Sequence, residues 1–274
     1  MLSGSRKLNK TVFFSLIEFL YMSEPLHMPG GQLASRPLHF FWVCDVSASM
    51  RGRGKIEQLN YAIRESLPQM REVANQNPNA QVFVRTLAFG CGAKWINANI
   101  IPIDQYFWTD LVANGVTDMG EALRLIAEEL KVPPMPKRAL PPVIVLISDG
   151  HPTDDFDKGL QALMSQEWGK RAIRIAISIG ADADSDVLRR FIGNDEVDLL
   201  NASNPQQLIN YIKWASTEVL QYASREYYAY AEKEAELQAD SRIAPQIGHP
   251  DAAPVFNPVP VPNSDANNYN DLVW

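Results

Sequence analysis

Oxygen-bearing side chains cluster at three places where apolar runs end or helical patterns begin. Asp45, Ser47 and Ser49 alternate in DVSASM, directly after the apolar run LHFFWVC. Thr117 lies in GVTDMGEAL, and Asp149 follows the apolar run VIVLI in ISDGHPTDD. Mg²⁺ prefers oxygen ligands and uses few carboxylates, so neutral serine and threonine hydroxyls suit it. The five residues predict a site for a divalent cation, with Mg²⁺ or Mn²⁺ as the metal.

The elements that must position these residues alternate between strands and helices. Continuous apolar runs predict buried strands, and apolar residues at three- and four-residue steps predict amphipathic helices. The strands are predicted at 38–44, 81–88, 143–147, 173–179 and 198–202, with a further extended pair around 93–103, and the helices at 56–70, 118–130, 156–167, 187–192 and 205–221. This order indicates a doubly wound α/β fold whose mostly parallel sheet is flanked by helices. Ligands bind such sheets beyond the carboxyl ends of the strands, where Asp45 and Asp149 lie.

Several acidic residues near these motifs have simpler explanations than metal binding. Asp118 and Glu121 have the spacing of a capping box at the start of the helix over 118–130. Asp154 and Asp155 are expected to cap the helix that begins near Phe156. The loop residue His151 is expected to be solvated.

Composition and charge exclude several classes of function. The chain of 274 residues has a formal net charge of −7, which argues against binding nucleic acid. Cys44 and Cys91 have no spacing typical of a zinc site or redox pair, so we expect two reduced, mostly buried thiols and a cytoplasmic protein. The apolar run over 12–22 contains Glu18 and is shorter than the roughly 20 residues of a membrane-spanning helix.

The sequence divides into four predicted segments. Residues 1–34 form an N-terminal extension, residues 35–221 the α/β domain, and residues 222–242 a C-terminal helical extension. Residues 243–274 contain repeated prolines among Asn and Asp, a composition that cannot build a core and predicts a disordered tail.

The three motifs together resemble the metal-ion-dependent adhesion site of von Willebrand factor A domains, over roughly residues 36–217. The resemblance implies direct metal contacts from Ser47, Ser49 and Thr117, with Asp45 and Asp149 binding directly or through water. All five positions hold the expected residue type. It implies a binding module without enzymatic activity, in which a carboxylate from a protein partner completes the coordination of the metal.

A narrower resemblance points to bacterial TerY-type proteins, which are associated with tellurium-resistance and stress clusters. It is carried by MPGGQLASRPLHF, WTDLVANGVTDMGEAL, RALPPVIVLISDGHPTDDF and EWGKRAIRIAISIG. This resemblance implies a cytoplasmic adaptor or scaffold that acts with a Ser/Thr kinase and a PP2C-type phosphatase. The N-terminal extension and the proline-rich tail depart from the minimal pattern.

Two other functions remain open at this point. An aspartate at a strand end beside Mg²⁺ suits a phosphotransferase or phosphatase that uses Asp45 as its nucleophile. Such enzymes usually have a second acid two residues later, where this chain has Ser47, and no phosphate-binding GxxxxGK[ST] loop is present. The same metal site would also serve an extracellular adhesion domain, which requires secretion.

Overall fold

Long apolar runs form the central strands of a single sheet. The computed structural model describes residues 35–180, 183–239 and 261. Its strands are β1 (Arg36–Asp45), β2 (Ala80–Gly90), β3 (Gly92–Trp95), β4 (Ile101–Pro102), β5 (Val143–Ser148), β6 (Ile173–Ile179) and β7 (Leu200–Ala202). The order is β3-β2-β1-β5-β6-β7, and β4 pairs with β2. Strands β2, β1, β5, β6 and β7 are parallel to one another, whereas β3 and β4 run antiparallel to β2.

Amphipathic helices flank the sheet. They are α1 (Lys55–Asn75), α2 (Met119–Glu129), α3 (Phe156–Ser165), α4 (Glu167–Arg171), α5 (Ser185–Ile192) and α6 (Pro205–Ala239). Helix α1 packs against α6, and α2 packs against α3. Every residue of β1 from Leu38 to Asp45 is buried, because a central strand of such a sheet has both faces covered. The predicted fold class is therefore confirmed.

The helix predicted over 156–167 is interrupted in the structure. Gln166 has extended backbone dihedrals, so α3 ends at Ser165 and a separate short helix, α4, begins at Glu167. The break brings Gly169 against the end of α3, where an added Cβ would lie 1.9 Å from the carbonyl oxygen of Leu163. The close approach of the two helices depends on a glycine at that position.

The predicted capping box at the start of α2 is wrong. The side chain of Asp118 caps no N–H of that helix. Its carboxylate instead accepts hydrogen bonds from the Gly92 N–H at 2.6 Å and from the Thr153 hydroxyl at 3.1 Å. The reason is tertiary, because the turn before β3 and the loop after β5 both come within reach of Asp118.

Asp154 provides the cap that Asp118 does not. Its two carboxylate oxygens accept hydrogen bonds from the N–H groups of Gly120 at 2.8 Å and Glu121 at 2.7 Å. The prediction that Asp154 caps the helix beginning near Phe156 is therefore wrong. The same prediction is confirmed for Asp155, whose side chain accepts a hydrogen bond from the Lys158 N–H.

The two cysteines differ in exposure. Cys44 is fully buried in β1, and burial raises the pKa of its thiol. Cys91 is exposed at the turn between β2 and β3, so the prediction of a mostly buried thiol is wrong for this residue. A tight turn that connects two antiparallel strands at the end of a sheet leaves its tip exposed to solvent. Both thiols are free.

The predicted segments at the two ends of the chain lie mostly outside the described residues. This applies to residues 1–34 and to residues 243–274 apart from Val261, which packs against the hydrophobic core. The predicted boundary at 221 falls inside α6, which continues to Ala239. Ala223 and Ser224 are buried, and Ser224 accepts a hydrogen bond from the Asn77 side chain. No helix of the described residues is both long and apolar enough for a membrane crossing.

Candidate metal centre

The two predicted acidic ligands come together because β1 and β5 are neighbours. Cys44 pairs with Ile147 in the parallel register, so the strand ends that carry Asp45 and Asp149 lie side by side. Asp45 is fully buried and its two oxygens have different partners. Oδ1 accepts the N–H of Ser47 at 2.7 Å, and Oδ2 accepts the hydroxyl of Ser148 at 2.5 Å.

The two serines of DVSAS connect Asp45 to Asp149 through hydroxyl groups. The Oγ atoms of Ser47 and Ser49 are 2.8 Å apart, within hydrogen-bonding distance. Ser49 Oγ donates to Oδ1 of Asp149 at 2.7 Å. Two residues that alternate after a strand end therefore direct their oxygens toward the acid on the neighbouring strand.

Gly150 shows how Thr117 joins the same cluster. A Cβ atom added to Gly150 would lie 3.4 Å from Thr117 Oγ1, 3.7 Å from Ser49 Oγ and 3.9 Å from Asp45 Oδ2. The glycine therefore leaves open a small space that faces oxygen atoms from the DVSAS segment and from the loop before α2. The structure thus brings the five predicted site residues into one cluster, in which hydrogen bonds link Asp45, Ser47, Ser49 and Asp149 and Thr117 Oγ1 faces the same space as Ser49 and Asp45.

Backbone hydrogen bonds fix the loops that carry these side chains. The N–H of Ala48 donates to the carbonyl of Gly115 at 2.9 Å, which ties the DVSAS loop to the loop before Thr117. Thr117 N–H donates to Thr153 Oγ1 at 3.0 Å, and Thr153 N–H donates to the carbonyl of Thr117 at 2.9 Å. The site is thus preorganised by contacts between loops that are far apart in sequence.

The electrostatics of the cluster are those of buried acids. Burial raises the pKa of Asp45, hydrogen bonds from Ser148 and Ser47 oppose the rise, and the charge of Asp149 adds to it. Two acids so close together repel each other unless positive charge lies nearby. The ammonium of Lys55 beside Asp149 supplies one such charge, and a divalent cation in the space beside Gly150 would supply more.

Two residues of the cluster are not in the predicted set. One is Ser148, which binds Asp45. The other is Lys55, the first residue of α1, whose ammonium Nζ donates to Asp149 Oδ2 at 2.7 Å. Lys55 lies four residues before Leu59, on the buried stripe of α1. A charged residue on the apolar face of a predicted helix is the sequence signal that could have identified Lys55 as part of the site. His151, by contrast, is exposed and pairs with Asp184 at 2.9 Å.

The donor set fits a hard divalent cation. It consists of two carboxylates and three hydroxyls, and one of these carboxylates and two of these hydroxyls face a space large enough for a methyl group. Among the side chains that the structure describes in residues 35–180 and 183–224, no three His, Cys, Asp or Glu side chains gather as a metal site. A cation in this centre would therefore depend on hydroxyl oxygens, as Mg²⁺ and Mn²⁺ tolerate.

Comparison with known proteins identifies the fold. No protein-family model and no curated protein sequence matches the chain. Among solved structures, a von Willebrand factor type A protein from Catenulispora acidiphila is similar at a TM-score of 0.51 and 16% identity, covering 66% of this chain and 42% of that one. The pilus adhesin SpaC from Lactobacillus rhamnosus GG has a TM-score of 0.54 and 12% identity, covering 69% of this chain and 31% of that one.

A third solved structure supports the same conclusion. The ArnB paralog VWA2 from Sulfolobus acidocaldarius is similar at a TM-score of 0.50 and 18% identity, covering 65% of this chain and 44% of that one. The chain thus spans less than half the length of each of these proteins. The described residues have the von Willebrand factor A fold.

Proposed function

We propose that this protein is a metal-dependent protein-binding module without enzymatic activity. Asp45, Ser47, Ser49, Thr117 and Asp149 hold Mg²⁺ or Mn²⁺, and a carboxylate from a protein partner completes the coordination of the metal. The observation that carries the proposal is the space beside Gly150, which faces Thr117 Oγ1, Ser49 Oγ and Asp45 Oδ2 within 4 Å. Hydroxyl ligands leave most of the positive charge of the cation available for an anionic group.

The surface beside the centre suits a protein partner. Val112 is 80% exposed and Val116 is 46% exposed, and both lie in the loop that leads to Thr117. A pocket of about 400 Å³ opens between this loop and the ends of β1 and β2, and its lining includes Val46, Gly90 and Val112. Exposed apolar side chains beside a polar centre are typical of binding surfaces.

The hydrogen bonds of Asp45 favour binding over phosphoryl transfer. A nucleophilic carboxylate needs an oxygen directed at the substrate, whereas both oxygens of Asp45 accept hydrogen bonds from the protein. Asp45 is also fully buried. We therefore assign Asp45 to the support and charge of the cation site rather than to catalysis.

The proposed cellular role follows from the resemblance to TerY-type proteins. We propose a cytoplasmic adaptor or scaffold in a bacterial stress or tellurium-resistance system, with a Ser/Thr kinase and a PP2C-type phosphatase as partners. The two free thiols agree with a reducing compartment. Cell fractionation distinguishes this localisation from that of an extracellular adhesion domain, since the protein is expected in the cytosolic fraction.

Isothermal titration of the purified full-length protein with Mg²⁺ and Mn²⁺ tests metal binding. We expect stoichiometric binding, and we expect Asp45→Asn to reduce the affinity at least about tenfold, because the amide removes one of two negative charges from the site. The matched control is Asp104→Asn, which removes an exposed carboxylate outside the cluster and is expected to leave the affinity unchanged.

Capture of partners with and without EDTA tests the binding function. The protein is expected to retain the kinase or the phosphatase in Mg²⁺ and to lose it in EDTA or as Asp45→Asn. Equal capture under all these conditions would remove the metal from the recognition step. Release of phosphate from simple phosphoesters, abolished by Asp45→Asn, would replace the binding function with an enzymatic one.

A further inference from the structure

Lys55 is a buried cation inside the candidate metal centre. Only 7% of the residue is exposed, and its Nζ lies 2.7 Å from Oδ2 of Asp149, whose side chain is fully buried. Lysine is almost never buried without a partner of opposite charge. The turn before Lys55 contains Arg53 and Gly54 in the left-handed region, with φ values of 53° and 71°, and leads directly into α1.

The ammonium shares its carboxylate with the hydroxyl network. Oδ1 of Asp149 accepts the Ser49 hydroxyl, while Oδ2 accepts the Lys55 ammonium. Arg51, a nearby base in sequence, is directed elsewhere and donates to the Ala113 carbonyl and the Asn114 side chain. Lys55 therefore places its positive charge on one of the proposed metal ligands.

The charges of the cluster decide what this lysine does. Asp45 and Asp149 bring two negative charges, and Lys55 returns one positive charge. A divalent cation bound there leaves one positive charge in excess, whereas the same site without the lysine would be neutral. Because a buried ammonium and a divalent cation repel each other across a low-dielectric site, the lysine opposes metal binding.

We propose that Lys55 is a built-in counter-ion that sets the affinity of the centre for the divalent cation. It neutralises Asp149, weakens the hold on the metal, and leaves an excess positive charge that a partner carboxylate balances. Metal and carboxylate then bind cooperatively, because each improves the charge balance for the other. This inference rests on the proposed metal-binding function and adds the way in which that site is regulated.

Lys55→Met in the full-length protein tests the inference, since methionine keeps a long apolar side chain without the charge. Isothermal titration with Mg²⁺ and Mn²⁺ is expected to show at least a tenfold higher affinity for the variant than for the unaltered protein. A lysine that only holds Asp149 in position predicts the opposite sign. An unchanged or lower affinity in Lys55→Met, with metal binding intact in the unaltered protein, would overturn the inference and leave the proposed function standing.

Two matched variants complete the test. Lys55→Gln also removes the charge but retains an N–H donor for Asp149, so it is expected to show the same increase, and it decides the outcome where Lys55→Met does not fold. Lys131→Met removes the same charge from an exposed lysine that pairs with Glu128, and its metal affinity is expected to stay unchanged. An equal increase in Lys131→Met would attribute the effect to net charge and overturn the role of Lys55.

NMR of the Lys55 ammonium tests the inference in the unaltered protein, without a variant. A buried, salt-bridged ammonium is protected from solvent exchange, so its ¹⁵N–¹H signal is expected to be distinct from those of exposed lysines. Titration with Mg²⁺ is expected to shift or abolish that signal as the metal binds. A signal that stays constant through saturation would overturn the inference, while the absence of metal binding in the unaltered protein and in both Lys55 variants would instead remove the proposed function.

Discussion

At the scale of single residues, four of the five side chains of the candidate centre already have hydrogen-bond partners in the protein. Ser47, Ser49 and Asp149 form a continuous chain of hydrogen bonds, and Asp45 is held by Ser47 and Ser148. Such mutual support fixes each side chain in one orientation, because a buried polar group without a partner is costly. The donors are therefore positioned before any ligand arrives, which reduces the entropy lost on binding.

Gly150→Ala tests this geometry with one methyl group. The new Cβ would meet Thr117 Oγ1, Ser49 Oγ and Asp45 Oδ2 at ordinary contact distances of 3.4–3.9 Å, so the free energy of unfolding is expected to change by less than about 1 kcal/mol. The methyl group would occupy the space assigned to the cation. We expect Mg²⁺ affinity, measured by isothermal titration, to fall at least about tenfold.

Gly52→Ala is the control for this change. A Cβ at Gly52 meets nothing within 4 Å, although Gly52 lies in the same turn region that follows Ser49. Its metal affinity is expected to equal that of the unaltered protein. Full metal affinity in Gly150→Ala would show that the cation does not lie between these three oxygens.

At the scale of elements, the start of α2 is held by a different part of the chain. Asp154, in the loop after β5, accepts the N–H groups of Gly120 and Glu121, and Asp118 turns to Gly92 and Thr153. The capped helix end and Thr117 are adjacent, so the loop that carries Asp154 also supports a proposed metal ligand. The close crossing of α2 and α3 contributes, since a Cβ on Gly159 would lie 2.3 Å from the Gly120 carbonyl oxygen.

Asp154→Ala is expected to lower the free energy of unfolding by about 1–2 kcal/mol, because two N–H groups at a helix start lose their acceptor. Urea denaturation measures the effect. Glu121→Ala removes the other half of the capping box predicted from the sequence, but the Glu121 side chain pairs with Arg124 on the surface, so its effect is expected within about 0.5 kcal/mol. A larger loss of stability in Glu121→Ala than in Asp154→Ala would instead support the capping box of Asp118 and Glu121.

At the scale of the whole molecule, stability depends on a sheet whose central strand is buried along most of its length. His39 lies in that strand beside Phe41 and Phe83, and 5% of the residue is exposed. Its Nδ1 has no hydrogen-bond partner among the described residues. Burial lowers the pKa of His39 from 6.5 to about 4, so the folded protein holds this imidazole neutral.

This shift predicts an acid-sensitive stability. Below pH 6.5 His39 is protonated in the unfolded chain, whereas in the folded protein it stays neutral down to about pH 4. The contribution of His39 to stability is therefore fully present above pH 6.5 and is lost as the pH falls from 6.5 toward 4. The expected loss from His39 is about 2 kcal/mol between pH 7 and pH 5, measured by urea denaturation. His39→Leu is expected to remove that part of the pH dependence, and an unaltered pH profile in the variant would contradict the assignment.

The sequence by itself determined the fold class and the five-residue cluster. Buried parallel strands have continuous apolar runs, helices have a period of 3.6, and the carboxyl ends of parallel strands lie at one edge, so local patterns place Asp45 and Asp149 at the same edge of the sheet. These features are periodic or lie next to an element boundary, and therefore each can be recognised within a short window of sequence.

Only the tertiary structure decided the partners of the charged groups. Lys55 binds Asp149, which lies 94 positions later in the chain. Asp154 accepts the N–H of Glu121, which lies 33 positions earlier. A buried carboxylate accepts hydrogen bonds from whichever donors folding brings close to it. Local spacing predicted Asp118 as the helix cap and gave no role to Lys55. Which donors those are depends on how the loops pack, and that information lies in no single segment of the sequence.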